Sequence, residues 1–120
     1  MTLPDLEVQM VRVFHKIETD FTACLTWDLC EFHHVANVRV GGFASTGQLD
    51  DTYYCDRAYE LTNSIDGPWW ANDGVYARMS SPAFVEVRGK KGTRSTSVGD
   101  VMEYCGRRYV CDRIGWRRID

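Results

Sequence analysis

No run of apolar residues in this 120-residue chain approaches the roughly 18 that a bilayer-crossing helix requires, so no membrane span is expected. Residues 1–7 lack the basic region and apolar core of a secretory signal, which predicts a cytoplasmic protein. No glycine-flanked nucleophile elbow, phosphate loop or dinucleotide fingerprint is present, so no familiar catalytic framework is available. Internal repeats and low-complexity tracts are missing too, and residues 1–120 are expected to form a single domain. The five cysteines cannot all pair within one chain, and free thiols are expected rather than a disulfide framework. Cys105 and Cys111 are the pair that a hairpin would bring together, with buried apolar thiols as the alternative.

What is present is an ordinary globular composition, 44% apolar and 26% charged. The net charge of −3 conceals an asymmetry. Residues 1–87 carry five basic and thirteen acidic side chains, while residues 88–120 carry nine basic and four acidic. A chain so divided can present an anion-attracting face despite a pI of about 5.6. Its overall acidity argues against broad, non-specific duplex binding, which needs many phosphate contacts.

Periodicity predicts an α+β fold: a mostly antiparallel twisted sheet of five to seven strands, one main helix packed across it, and a C-terminal three-stranded meander. Residues 8–17 alternate as a strand, with Val11, Val13, His15 and Ile17 on one face. Residues 21–32 are ambiguous between strand and short helix; the alternation of Ala23, Leu25, Trp27 and Leu29 favours a strand. Residues 35–40 form another strand, ended by Gly41 and Gly42. A helix from Leu49 or Asp50 to Ser64 aligns Tyr54, Ala58, Leu61 and Ile65 in one stripe flanked by Cys55 and Tyr59, and Gly67-Pro68 stops it. Residues 69–82 read as an irregular surface segment, of a length uncommon in small domains unless the segment binds something or is disordered. Residues 83–87 re-enter the sheet, and residues 89–92 make a tight basic connection. Strands at 101–104, 108–112 and 116–119 follow, joined at Gly106 and Gly115.

Arg94-Ser95-Thr96-Ser97-Val98-Gly99-Asp100-Val101, followed by Gly106-Arg107-Arg108-Tyr109-Val110-Cys111-Asp112 and Ile114-Gly115-Trp116, resembles an ending found in small bacteriophage and mobile-element proteins. Its pattern is R-S-x-S-V-x-D-V … G-x-x-Y-x-V-D-x-x-G-F/W, and it is similar to the YodL-like parts of conjugative-element proteins. Residues 58–66, running into Pro68-Trp69-Trp70, resemble the helix-then-aromatic segment ahead of this ending in actinobacterial phage proteins. Together the two stretches cover about a third of the chain. The resemblance implies a small α+β domain with an accessory role in a phage or mobile element, and no shared reaction. Cys105 and Cys111 depart from the pattern, replacing a polar turn residue and an aliphatic or aromatic one.

Cys24, Cys30, His33 and His34 are the candidate metal ligands, with Cys55 or a carboxylate as a fourth. Their spacing is not that of a zinc knuckle, and thiols and histidines in packing and surface roles are the alternative. Cys30 and His33 would share a face in a helix, as a nucleophile and its base require, but would point apart in a strand. Ser95, Thr96 and Ser97 beside Arg94 could hold an anion or simply fix the turn into the meander. Arg107, Arg108, Arg113, Arg117 and Arg118, with Lys90, Lys91 and Arg94, could form a basic rim, with Trp116, Tyr104 and Tyr109 as stacking surfaces. Against this, the aromatics could fill the core while the arginines solvate strand edges. Trp69 and Trp70 could form an exposed anchor, or one could plug the sheet edge beneath the other. Asp50, Asp51, Asp56 and Glu60 form an acidic helix face.

The expectation is a non-enzymatic accessory protein that binds a host protein, in counter-defence or host modulation, with the acidic residues 1–87 competing with nucleic acid for a basic partner surface. A nucleic-acid-binding module using the C-terminal basic face is the second reading, and a metal or thiol enzyme centred on Cys24, Cys30, His33 and His34 the third. No cofactor is expected.

Overall fold

The structure, a computed structural model, describes residues 10–40, 50–65 and 67–120. The strand end at Gly41-Gly42 and the turn at residues 46–49 lie outside the described residues. The elements in chain order are β1 (Met10–Lys16), β2 (Phe32–Arg39), α1 (Asp51–Leu61), β3 (Val75–Ala77), β4 (Val85–Val87), β5 (Lys90–Gly92), β6 (Val101–Tyr104), β7 (Arg107–Cys111) and β8 (Trp116–Arg118). Short 3-10 turns lie at Trp27–Leu29 and Trp69–Ala71. The fold is α+β.

Six strands form one antiparallel sheet in the order β3-β2-β1-β6-β7-β8, and β4 and β5 form a separate two-stranded ribbon. β1 is central because both its faces can be buried. Val11, Val13 and His15 are fully or almost fully enclosed under α1 and its flanking loops, while Phe14 packs into a second cluster. The β1–β2 register slips by one residue at Val13/Phe14, opposite Val35. This bulge lets consecutive residues Val35 and Ala36 both be buried, where strict alternation would expose one.

The helix buries Tyr54, Cys55 and Ala58, and Tyr54 stacks on Tyr104 of β6 at 4.7 Å. Cys55 is therefore central to the stripe rather than flanking it. Ile65 lies beyond the helix end and is exposed. The last turn is closed by side chains: Thr62 Oγ1 donates to the Ala58 carbonyl at 2.8 Å, and Asn72 Nδ2 to the Leu61 carbonyl at 2.8 Å.

Three sequence expectations are corrected. Residues 21–32 are not a strand: Ala23 and Trp27 turn inward to cover the sheet face opposite the helix, and Leu25 and Leu29 stay outside. Trp27 stacks on Phe32 with ring centroids 4.8 Å apart and meets Phe14 edge-on at 5.1 Å. Residues 83–87 do not rejoin the main sheet; β4 pairs only with β5, because Arg88 and Gly89, both left-handed, reverse the chain at once. Residues 69–82 contain the edge strand β3, which pairs with β2 through Ala36, Asn37 and Val38. Among the described residues no helix is long and apolar enough to cross a membrane.

Candidate functional site

The motif that carries the family resemblance is an internal clamp. Asp100 is fully buried; its Oδ2 accepts from Arg94 Nη1 at 2.6 Å and the Ser97 amide at 2.7 Å, and its Oδ1 from Arg94 Nη2 and the Lys16 amide, both at 2.8 Å. Arg94 also donates to the carbonyls of Ser95 and Lys16. The carboxylate thus ties the start of β6 to the end of β1, and burial is tolerated because every lone pair is used.

A second buried chain runs beside it. Thr62 donates to the Ala58 carbonyl, so its oxygen can only accept from Thr96 Oγ1, 2.7 Å away. Thr96 has then spent its one proton, and the contact at 3.0 Å to His15 Nε2 must be a donation by the imidazole. His15 Nδ1 is left as a bare, buried acceptor without a partner among the described residues. Burial lowers its pKa to about 4, with Arg94 and His33 acting in the same direction and Asp100 opposing.

The C-terminal basic residues are largely neutralised from within. Arg107 grips Asp51 at the first turn of α1 with Nε and Nη2, at 2.5 and 3.0 Å, and Tyr109 donates to the same carboxylate at 2.5 Å. The Arg107 hydrogen bond, with help from Tyr109, holds Asp51 below the usual carboxylate range. Arg108 lies over the Trp27 ring at 4.3 Å, its Nε 3.1 Å from Glu103 without hydrogen-bond geometry. Arg117 pairs with Asp112 and donates to the Cys24 and Leu25 carbonyls, and Arg118 pairs with Asp120. Arg113 is exposed and has no ion-pair partner among the described residues. Trp116 donates its indole N–H to Asp56 at 2.7 Å. Two carboxylates of the acidic helix face, Asp51 and Asp56, are therefore occupied.

Trp69 and Trp70 divide. Trp69 is fully buried, packs beside His15 and Phe84, and donates to the Arg94 carbonyl at 2.9 Å. Trp70 is half-buried, edge-on to Phe84 at 5.7 Å. The four metal candidates are not gathered into a ligand set. Cys24 and Cys30 are joined in a disulfide, which corrects the expectation of free thiols throughout; their Cα atoms are 6.4 Å apart. His33 faces His15 across β1 and β2, while His34 stacks on Phe14 and bonds to Asn37 at 2.8 Å. Cys55, Cys105 and Cys111 are free, so the hairpin pair is not bridged. Cys105 sits exposed in the turn, whereas Cys111 is buried.

Residues 17–31 form a surface that sequence reasoning missed. Ile17, Phe21, Leu25 and Leu29 are 41%, 51%, 71% and 66% exposed, a concentration of apolar side chains in one loop. Four acidic residues and no basic one accompany them: Glu18, Asp20, Asp28 and Glu31. Asp20 is held by Lys16 Nζ at 2.7 Å, which with Thr22 lowers its pKa to about 2; the other three have no ion-pair partner among the described residues. The loop is pinned by the disulfide, by Arg117, by the Trp27 amide to the Ile119 carbonyl at 3.2 Å and by the Ile17 amide to the Glu31 carbonyl at 2.9 Å. A cleft of about 410 Å³ opens between Lys16, Ile17, Glu18, Leu29, Cys30 and Glu31. Residues 17–38 lack lysine and arginine, but so do residues 58–77, so charge counting along the sequence does not single the loop out.

No protein-family model, curated protein or solved structure matches this chain.

Proposed function

We propose that this chain is a non-enzymatic accessory protein that docks residues 17–31 onto a partner protein whose surface is apolar and rimmed by lysine or arginine. One observation carries the reading: four exposed apolar side chains stand among uncompensated carboxylates on a loop pinned at several points. Apolar contact supplies the affinity, and Glu18, Asp28 and Glu31 select a cationic partner and repel anionic ones. Pinning removes much of the ordering cost that a free loop would bear on binding. The phage or mobile-element context implied by the ending in residues 94–116 makes a host protein the expected partner. A partner that normally holds nucleic acid fits the charge, because the loop would compete for the same cationic surface.

A photo-activatable cross-linker placed in turn at Leu25, Leu29 and Ile114, in cells of the host, tests this reading. Leu25 and Leu29 should yield one common adduct with a basic protein, and Ile114, which is 92% exposed in the β7–β8 turn, should not. The adduct should disappear when Glu18 and Glu31 are both changed to Lys. Equal cross-linking from all three sites would sink the reading.

A further inference from the structure

Three of the exposed cations without an ion-pair partner among the described residues lie together on the β4–β5 ribbon, against one, Arg113, on the C-terminal meander. Arg88, Lys90 and Lys91 are exposed and have no carboxylate within ion-pairing distance among the described residues, whereas Arg94, Arg107, Arg108, Arg117 and Arg118 each have one. Lys91 Nζ donates only to the Met79 carbonyl, at 3.3 Å. Glu86 is the one acid on the ribbon, directly opposite Lys91 in the register.

The ribbon also has an apolar side. Val85 pairs with Gly92 and Val87 with Lys90, so these residues share a face. Val85 and Val87 are 57% and 63% exposed. A Cβ on Gly92 would come within 2.8 Å of the Trp70 ring, so the indole lies against the ribbon on that same face. Trp70 is braced in turn by Trp69 and Phe84. The face therefore offers half an indole, two valines and Lys90, with Arg88 at the tip, on a ribbon mounted against the core.

We infer that this ribbon binds single-stranded nucleic acid, with Arg88 and Lys90 on the phosphates and the Trp70–Val85–Val87 face against the bases, while Lys91, beside Glu86 on the other face, adds only to the local field. Single-stranded rather than duplex nucleic acid fits because the apolar face needs open base faces, which a duplex hides. The chain's net charge of −3 also leaves too few cations for a duplex. Two valines and a half-buried indole are too little apolar surface to hold a membrane. This surface shares no residue with the loop at residues 17–31 and does not depend on that loop's role.

The test is fluorescence anisotropy with labelled oligo-dT and oligo-U of about 12 nucleotides, from about 50 to 200 mM salt. Two phosphate contacts, Arg88 and Lys90, predict a log–log slope of about −1.4. Replacing Lys90 and Lys91 together by Glu should weaken binding at least about tenfold and flatten the slope to about −0.7. V85S/V87S should weaken binding while leaving the slope unchanged, and R113E, a free meander arginine, should change neither. All these side chains are exposed, and thermal melting of each variant checks that the fold is retained. The inference is overturned by no binding at about 50 mM salt, by R113E matching the double lysine variant, by tighter binding to duplex, or by partition to phosphatidylglycerol vesicles in place of oligonucleotide.

Discussion

Arg94 holds Asp100 with both of its terminal nitrogens, at 2.6 and 2.8 Å, and the carboxylate it holds is completely buried. This pair explains why arginine and aspartate stand six residues apart in the ending: the spacing closes a loop whose backbone amide at Ser97 completes the carboxylate's shell. The same carboxylate reaches the Lys16 amide, so the clamp fixes the end of β1, where the loop at residues 17–31 begins.

Asp100→Asn should destabilise the protein by about 3 kcal/mol, because it leaves the guanidinium without its counter-charge and turns an amide donor toward other donors. Urea denaturation at pH 7 measures this directly. A loss below about 0.5 kcal/mol would show that the clamp contributes nothing beyond what a surface pair contributes.

Gly99→Ala should cost about 2 kcal/mol, since Gly99 has φ +100° and a Cβ there would lie 2.7 Å from the Thr22 carbonyl oxygen. Both atoms at risk belong to the backbone, so relief must come from moving the loop at residues 17–31. Amide shifts confined to residues far from that loop would contradict this contact between Gly99 and Thr22.

Stability should fall on mild acidification. The His15 pKa is lowered to about 4 in the fold, against an ordinary value near 6.5, so the unfolded chain takes up a proton between these limits and the folded chain does not. The contribution of neutral His15 is fully present above pH 6.5 and is lost as the pH falls toward 4, by about 3 kcal/mol in all. Burial lowers the His34 pKa as well, so denaturation should be compared between His34→Gln and the double variant that adds His15→Gln. A slope between pH 6.5 and 4.5 that survives in the double variant would assign the effect elsewhere.

Alkylation of the native protein should label one thiol, Cys105, the exposed free cysteine. Burial raises the Cys111 pKa to about 11 and pushes that of Cys55 up further, so neither offers a thiolate to the reagent. Unfolding without reductant should add these two, and reduction should add Cys24 and Cys30. Mass spectrometry counts the labels; five labels on unfolding alone would mean that Cys24 and Cys30 are not joined.

Strand and helix positions were legible where one local pattern met one burial requirement. The alternation in β1 and the stripe through Tyr54 and Ala58 are such cases. Residues 21–32 were misread because their alternation is real but serves two unrelated ends, with Ala23 and Trp27 covering the sheet while Leu25 and Leu29 face solvent. β3 was missed because three residues at a sheet edge carry little periodicity, and pairing with β2 creates the strand. The basic rim was not legible for a different reason. Charge can be counted along a chain, but whether an arginine is free depends on which carboxylate folds against it.

Composition and periodicity determined the α+β class, the antiparallel meander at the end, and the division of charge between residues 1–87 and 88–120, because these follow from local backbone preference and from counting. Tertiary structure alone decided which charges remain available. Arg107 and Asp51 are 56 residues apart, and Arg94 belongs to Asp100 rather than to a ligand. Ion pairing and burial act over distances of a few ångströms in space and are indifferent to separation along the chain. Three free acids consequently lie at residues 17–31 and three free cations on the β4–β5 ribbon, among the described residues, places that the order of residues does not single out.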